Sequence, residues 1–140
     1  MQIEIMINKI SIIKKIQLGE NTFPIENQDS RLHFNFYCAN GGIKHQTILS
    51  LESSNLLESL IESGDLNNND LAQNDVDKLQ HLEDKKREFP YRYQIYNSME
   101  CNNNYLIIFD IYEYRGYYSC TVYSVLQIES KILIDSYEKN

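Results

Sequence analysis

The sequence predicts an α+β fold: a mainly antiparallel sheet of about six or seven strands, with two helices packed on one face. Two observations carry this. Apolar residues alternate with period two at both ends of the chain, and the middle switches to helical spacing. Strand runs flanking a helical block argue against a parallel doubly wound sheet. The 140 residues fit a single domain, 1–140, with strands in 2–49, an acidic helical block in 50–89, strands in 91–128 and a short C-terminal element at 131–137.

Residues 2–7 put Ile3, Ile5 and Ile7 on one side, as a half-buried strand does. A second strand is expected over 10–18, where Ile10, Ile12, Ile16 and Leu18 keep period two and Ile13 breaks it. Residues 19–30 are rich in turn formers and read as a loop, with Phe23 and Ile25 tucking inward. Over 31–38, Leu32, Phe34, Phe36 and Cys38 face one way while His33, Asn35 and Tyr37 face the other. Asn40-Gly41-Gly42 then supplies residues that accept positive φ, so 43–49 is expected to return as the partner strand of a hairpin.

After Ser50, Leu56, Leu57, Leu60 and Ile61 recur at helical spacing, with Ser53 or Ser54 as cap and Gly64 as stop. An Asn-rich linker follows. A second helix is expected from Asn74 or Asp75, carrying Val76, Leu79 and Leu82 and ending at Phe89 before Pro90. Beyond it, Tyr91, Tyr93 and Ile95 alternate. Residues 105–114 and 117–128 then read as strands joined by a two-residue turn at Arg115-Gly116. That turn sets Ile111 opposite Cys120 and Phe109 opposite Val122, giving a core face. Tyr112, Tyr114, Tyr117 and Tyr123 fall with Asp110 on an aromatic outer face. Residues 131–137 fit a short helix or an edge strand.

The net charge is −7. A negative field disfavours nucleic acid and anionic membranes as partners. Most of the charge is local: residues 50–88 hold ten acids against four bases, and the rest of the chain ten against nine. Such a block is either a solvated helix face or a docking face for a basic protein. The N-terminus places Glu4 where a signal peptide is positive, and Lys9, Lys14 and Lys15 interrupt its apolar run. No stretch approaches the roughly 20 apolar residues that span a bilayer. Three cysteines without a CxxC read as free thiols, so a cytoplasmic protein is expected.

Candidate chemistry is sparse. His33, Cys38 and His45 form the nearest approach to a metal set. With Gly41-Gly42 as the turn, Cys38 faces His45, but His33 lies on the opposite face, so three convergent ligands are not expected. A Cys–His nucleophile needs contact plus an orienting group, and Cys38 with His45 meets the first requirement only. Cys101 lies in a polar turn, Cys120 in the core, and His81 on the second helix without a partner set by sequence. Asp110, inside an apolar strand, reads as structural. No cofactor, metal or catalytic residue is expected.

The preferred expectation is a non-enzymatic protein-binding inhibitor, of the kind an immunity protein represents. It would occlude a cognate bacterial toxin domain, such as a nuclease, through Glu58, Glu62, Asp65, Asp70, Asp75 and Asp77 or through Tyr112, Tyr114 and Tyr117. The alternatives are a phage-encoded inhibitor of a host protein and a small enzyme or ligand-binding domain assembled from scattered residues such as Cys38, His45 and Asp110. A monomer and a small homo-oligomer both remain open.

Overall fold

A computed structural model describes residues 5–25, 30–38, 42–73 and 89–135. Its main sheet is antiparallel, and its order follows from the pairing of β1 (Ile5–Ile16), β8 (Tyr117–Asp135), β7 (Asn104–Tyr114), β6 (Arg92–Asn97) and β5 (Asn55–Leu56) as consecutive neighbours. Strand β2 (Thr22–Ile25) joins β8 beside β1. A second sheet is the hairpin of β3 (Arg31–Tyr37) and β4 (Lys44–Ser50). The sheet-rich class is therefore as expected, while the described helices, α1 (Leu57–Glu62) and α2 (Asn68–Gln73), are short at six residues each.

The C-terminal strands form as their alternation dictates. Arg115 and Gly116 both take positive φ, 52° and 82°, as a type I′ turn requires, and the turn sets the register. Phe109 faces Val122 and Ile111 faces Cys120, as the sequence predicts. Between Ile108 and Phe109 the register slips, leaving Tyr123 as the extra residue of a bulge.

The β3–β4 hairpin packs on one face of the main sheet. Leu32, Phe34, Phe36 and Leu49 meet Tyr105, Ile107, Phe109 and Val122 in one apolar cluster. On the other face Leu57 and Leu60 of α1 and Leu71 of α2 meet Ile10, Leu106, Ile108 and Leu126. The molecule is thus layered as hairpin, sheet and helices. Phe109, Leu106 and Ile108 are fully buried because both faces of β7 are covered.

Several expectations are corrected. The two N-terminal strands are one, β1, with a bulge between Ile12 and Lys14. The bulge turns the chain over: Ile10 and Ile12 pack on the helix side, Ile16 on the hairpin side, and Ile13 is left 54 % exposed. Residues 22–25 form an edge strand rather than loop, where Pro24 needs no ladder donor on its open side. Phe23 does pack against the core and Ile25 is buried.

The β3–β4 register is offset by two residues from the expected one, with Phe36 opposite His45 and Cys38 N donating to Ile43 O at 2.7 Å. An even shift preserves the faces, so the buried set is the expected one.

Ser53 and Ser54 do not cap α1, whose N-cap is Leu56 with no side-chain bond. Ser54 Oγ instead accepts from Arg92 Nε at 2.6 Å, and Ser53 Oγ donates to Gln94 Oε1 at 2.9 Å. Gly64 stops α1 with φ 82°, as expected. The Asn-rich linker holds α2, started by Asn67 Oδ1, which accepts from Asn69 N at 2.7 Å. The helix expected from Asn74 or Asp75, with His81, lies outside the described residues up to Phe89. Residues 131–135 continue β8 against β1. Among the described residues no helix is long and apolar enough to cross a membrane.

Candidate functional site

Two regions carry unusual side chains. The first is the outer part of the helix-bearing face. Leu106 and Ile108 point toward α1, so the period of two places Tyr112 and Tyr114 on that same side, and Tyr117 is the cross-strand partner of Tyr114. Among the described residues, α1 and α2 pack over Leu106, Ile108 and Leu126. Exposure rises outward through Tyr112, Tyr114 and Tyr117, at 36, 65 and 77 %. The Arg115 guanidinium lies 5.3 Å from the Tyr114 ring centroid, and Phe89 meets the Tyr112 ring at 6.2 Å.

The sequence also set Tyr123 on this surface and left Asp110 either there or buried and hydrogen-bonded, and the structure gives the buried arrangement. Asp110 is 3 % exposed, and Tyr123, half-buried, donates its hydroxyl to Asp110 Oδ2 at 2.6 Å while packing edge-on against Tyr91. Tyr91 O in turn accepts from Leu57 N, the first residue of α1. The pair braces the sheet beneath the helices.

The acids lie on or just after helices that pack on this same face of the sheet. Glu58 and Glu62 lie on α1, Asp65 just after it, and Asp70 on α2, all at least partly exposed. From Ser50 to Gln73 there are five acids and no base. Burial and the charge of Asp65 hold the Tyr93 phenol above its ordinary value, against a weaker opposing hydrogen bond from Asn55. Asp75 and Asp77 lie outside the described residues.

The second region lies between the hairpin and the main sheet. Cys38 follows β3, His45 sits in β4, and Cys101 lies in the turn between β6 and β7, closed by Ser98 N donating to Asn103 O at 2.9 Å. Cys101 Sγ is 3.3 Å from His45 Nε2, and the sulfurs and imidazole nitrogen all lie within 4.8 Å of one another. The His45 ring is held between Phe36, Tyr96 and Tyr105, with centroids at 5.3, 5.3 and 5.6 Å. Tyr105 OH donates to Cys38 Sγ at 3.3 Å, Asn103 Nδ2 to Tyr105 Oη at 3.3 Å, and Gln127 Nε2 to Asn103 Oδ1 at 3.3 Å.

Burial pushes the Cys101 thiol up, but bonds with Ser98, Cys38, Tyr105 and His45 outweigh it and bring it down to about 6. Cys38 and His45 do share a face, as expected, but His33 is exposed on the outside of β3. The third group is Cys101, which the sequence places only in a polar turn. Its arrival depends on the hairpin docking over the β6–β7 turn, which no local pattern encodes. An open cleft of about 490 Å³ between β4 and β6, lined by Arg31, Ile48, Glu52 and Gln94 among others, includes none of these three. Compared with known protein families, with curated proteins and with solved structures, the chain matches none.

Proposed function

We propose that the protein is a non-enzymatic binding module that occludes a basic protein, in the manner of an immunity protein on a toxin domain such as a nuclease. The observation that supports this is the shared face. Tyr112, Tyr114 and Tyr117 extend the sheet surface that also bears the acidic helices. Exposed tyrosines offer large contact area at low entropic cost, and clustered acids accelerate encounter with a basic surface.

The two parts make separable contributions, which the test uses. The chain is co-expressed with candidate basic toxin domains, and binding kinetics are measured at low and high salt. Combined Glu58→Lys, Glu62→Lys, Asp65→Lys and Asp70→Lys is expected to slow association about tenfold or more and to flatten the salt dependence. Tyr114→Ala with Tyr117→Ala is expected to speed dissociation, each hot-spot ring contributing about 2 kcal/mol. Binding unchanged by both sets, or no binding to any basic partner, would remove the proposal.

A further inference from the structure

We propose that Cys38, His45 and Cys101 form a binding site for a thiophilic d¹⁰ metal ion, with Zn²⁺ the expected occupant, which cross-links the β3–β4 hairpin to the β6–β7 turn. The donor set is the first reason. Two sulfurs and an imidazole nitrogen match the soft and borderline ligands that zinc takes, and no carboxylate contacts His45 among the described residues. An orienting carboxylate is what a Cys–His nucleophile would call for.

The distances are the second reason. Zinc bonds of about 2.3 Å to sulfur and 2.0–2.1 Å to nitrogen, at tetrahedral angles, set a sulfur and a nitrogen about 3.5 Å apart and two sulfurs about 3.8 Å apart. Cys101 Sγ and His45 Nε2 already stand at 3.3 Å, and no donor pair exceeds 4.8 Å. Closing the set to these separations takes movements of about an ångström.

The surroundings are the third reason. Tyr105 OH and Asn103 Nδ2 aim at Cys38 Sγ from 3.3 and 3.7 Å, and Gln127 holds Asn103 from behind. Donors converging on a sulfur orient it, as supporting residues do around metal ligands. Phe36, Tyr96 and Tyr105 fix the imidazole plane. Two thiolates neutralise the ion, so the site carries no net charge into a largely buried position. Cys101 is half-exposed, which leaves the fourth position to water and gives the ion a way in.

The site lies where a cross-link has most effect. His45 belongs to the two-stranded sheet and Cys38 directly follows its strand β3, while Cys101 lies in a turn of the main sheet. Apart from apolar packing, the described polar ties between these sheets include Gln94, whose side chain accepts from Ser50 N and donates to Ile48 O. A metal would pin the opposite end of the hairpin, and its binding free energy would add to folding.

The test uses the full chain, purified with a chelator and a non-thiol reductant and freed of metal, then titrated with Co²⁺ and with Zn²⁺ against a chromophoric chelator. One equivalent of Co²⁺ is expected to give thiolate-to-metal charge-transfer absorption and tetrahedral ligand-field bands, and Zn²⁺ to displace it. Zn²⁺ is also expected to raise the urea midpoint. Cys101→Ser and Cys38→Ser should each weaken Zn²⁺ at least tenfold, since even supporting residues of metal ligands change affinity by about 10–100-fold. His33→Gln should leave affinity unchanged. Cys101 lies in a half-exposed turn, so its serine variant keeps a folded chain to measure, with far-ultraviolet circular dichroism as the check. Absent charge-transfer bands, equal Zn²⁺ affinity in the two serine variants and the parent, or loss of binding in His33→Gln would each overturn the proposal. So would a chain that takes no Zn²⁺ and instead joins Cys38 to Cys101 in air.

Discussion

Cys120 faces Ile111 across the β7–β8 hairpin with no exposed surface, and burial, then the negative charge of Asp110, pushes its thiol up to about 12. The unfolded chain has no such environment, so its thiol ionises near the ordinary value of about 8.5–9. Between these values the folded chain holds the proton and the unfolded chain does not. Stability is therefore undiminished by this group below about pH 9 and falls as pH rises from there toward about 12. Raising the thiol from its ordinary value to about 12 is on the order of 4 kcal/mol over that window. Cys120→Ala removes the group, so its urea stability is expected to decline less steeply above pH 9 than the parent's, measured as the slope of unfolding free energy against pH. Equal slopes would show that the thiol ionises in the folded chain as freely as in the unfolded one. The sequence showed this residue as core, because alternation sets it with Ile111 and Val122. The Cys101 environment was not legible: its partners are Cys38 and His45, far away in the chain, and a six-residue polar turn has no periodicity to read.

Turns set how far element pairing could be read. Arg115-Gly116 left one reading, a two-residue loop, and the β7–β8 register followed from it. Around Gly41-Gly42 several loop lengths fit, and the pairing read from sequence was two residues out, although the faces survived. Bulges were invisible, because one inserted residue such as Ile13 or Tyr123 looks like a lapse in alternation until the partner strand is known. The helical block was the hardest part: Leu57, Leu60 and Leu71 do face the sheet, but the serines beside them were recruited by Arg92 and Gln94 from another strand. The hairpin turn also holds correctable strain, since Arg115 takes φ 52° where a side chain is disfavoured. Asn accepts that conformation more readily. Arg115→Asn is expected to raise stability by about 0.5–1 kcal/mol, less a few tenths for the lost contact with Tyr114, as a higher urea midpoint at unchanged slope.

Across the whole molecule, β1 pairs with β8 from Ile5↔Asp135 to Ile16↔Val125, so the sheet joins segments from opposite ends of the described chain. The hairpin and the helices then close over opposite faces of β7. Little of this is local, and closing large loops must precede the contacts that reward it. Refolding from urea is expected in the millisecond-to-second range typical of such topologies, read by stopped-flow tyrosine fluorescence. A sub-millisecond phase carrying the full amplitude would contradict it.

The β1–β8 pairing also orders events during synthesis. Residues 5–16 leave the ribosome long before their partner strand has been made, so the nascent chain carries an isoleucine-rich segment with an open backbone edge. Lys9, Lys14 and Lys15 interrupt those isoleucines, and charges set along an apolar edge disfavour its pairing with another chain.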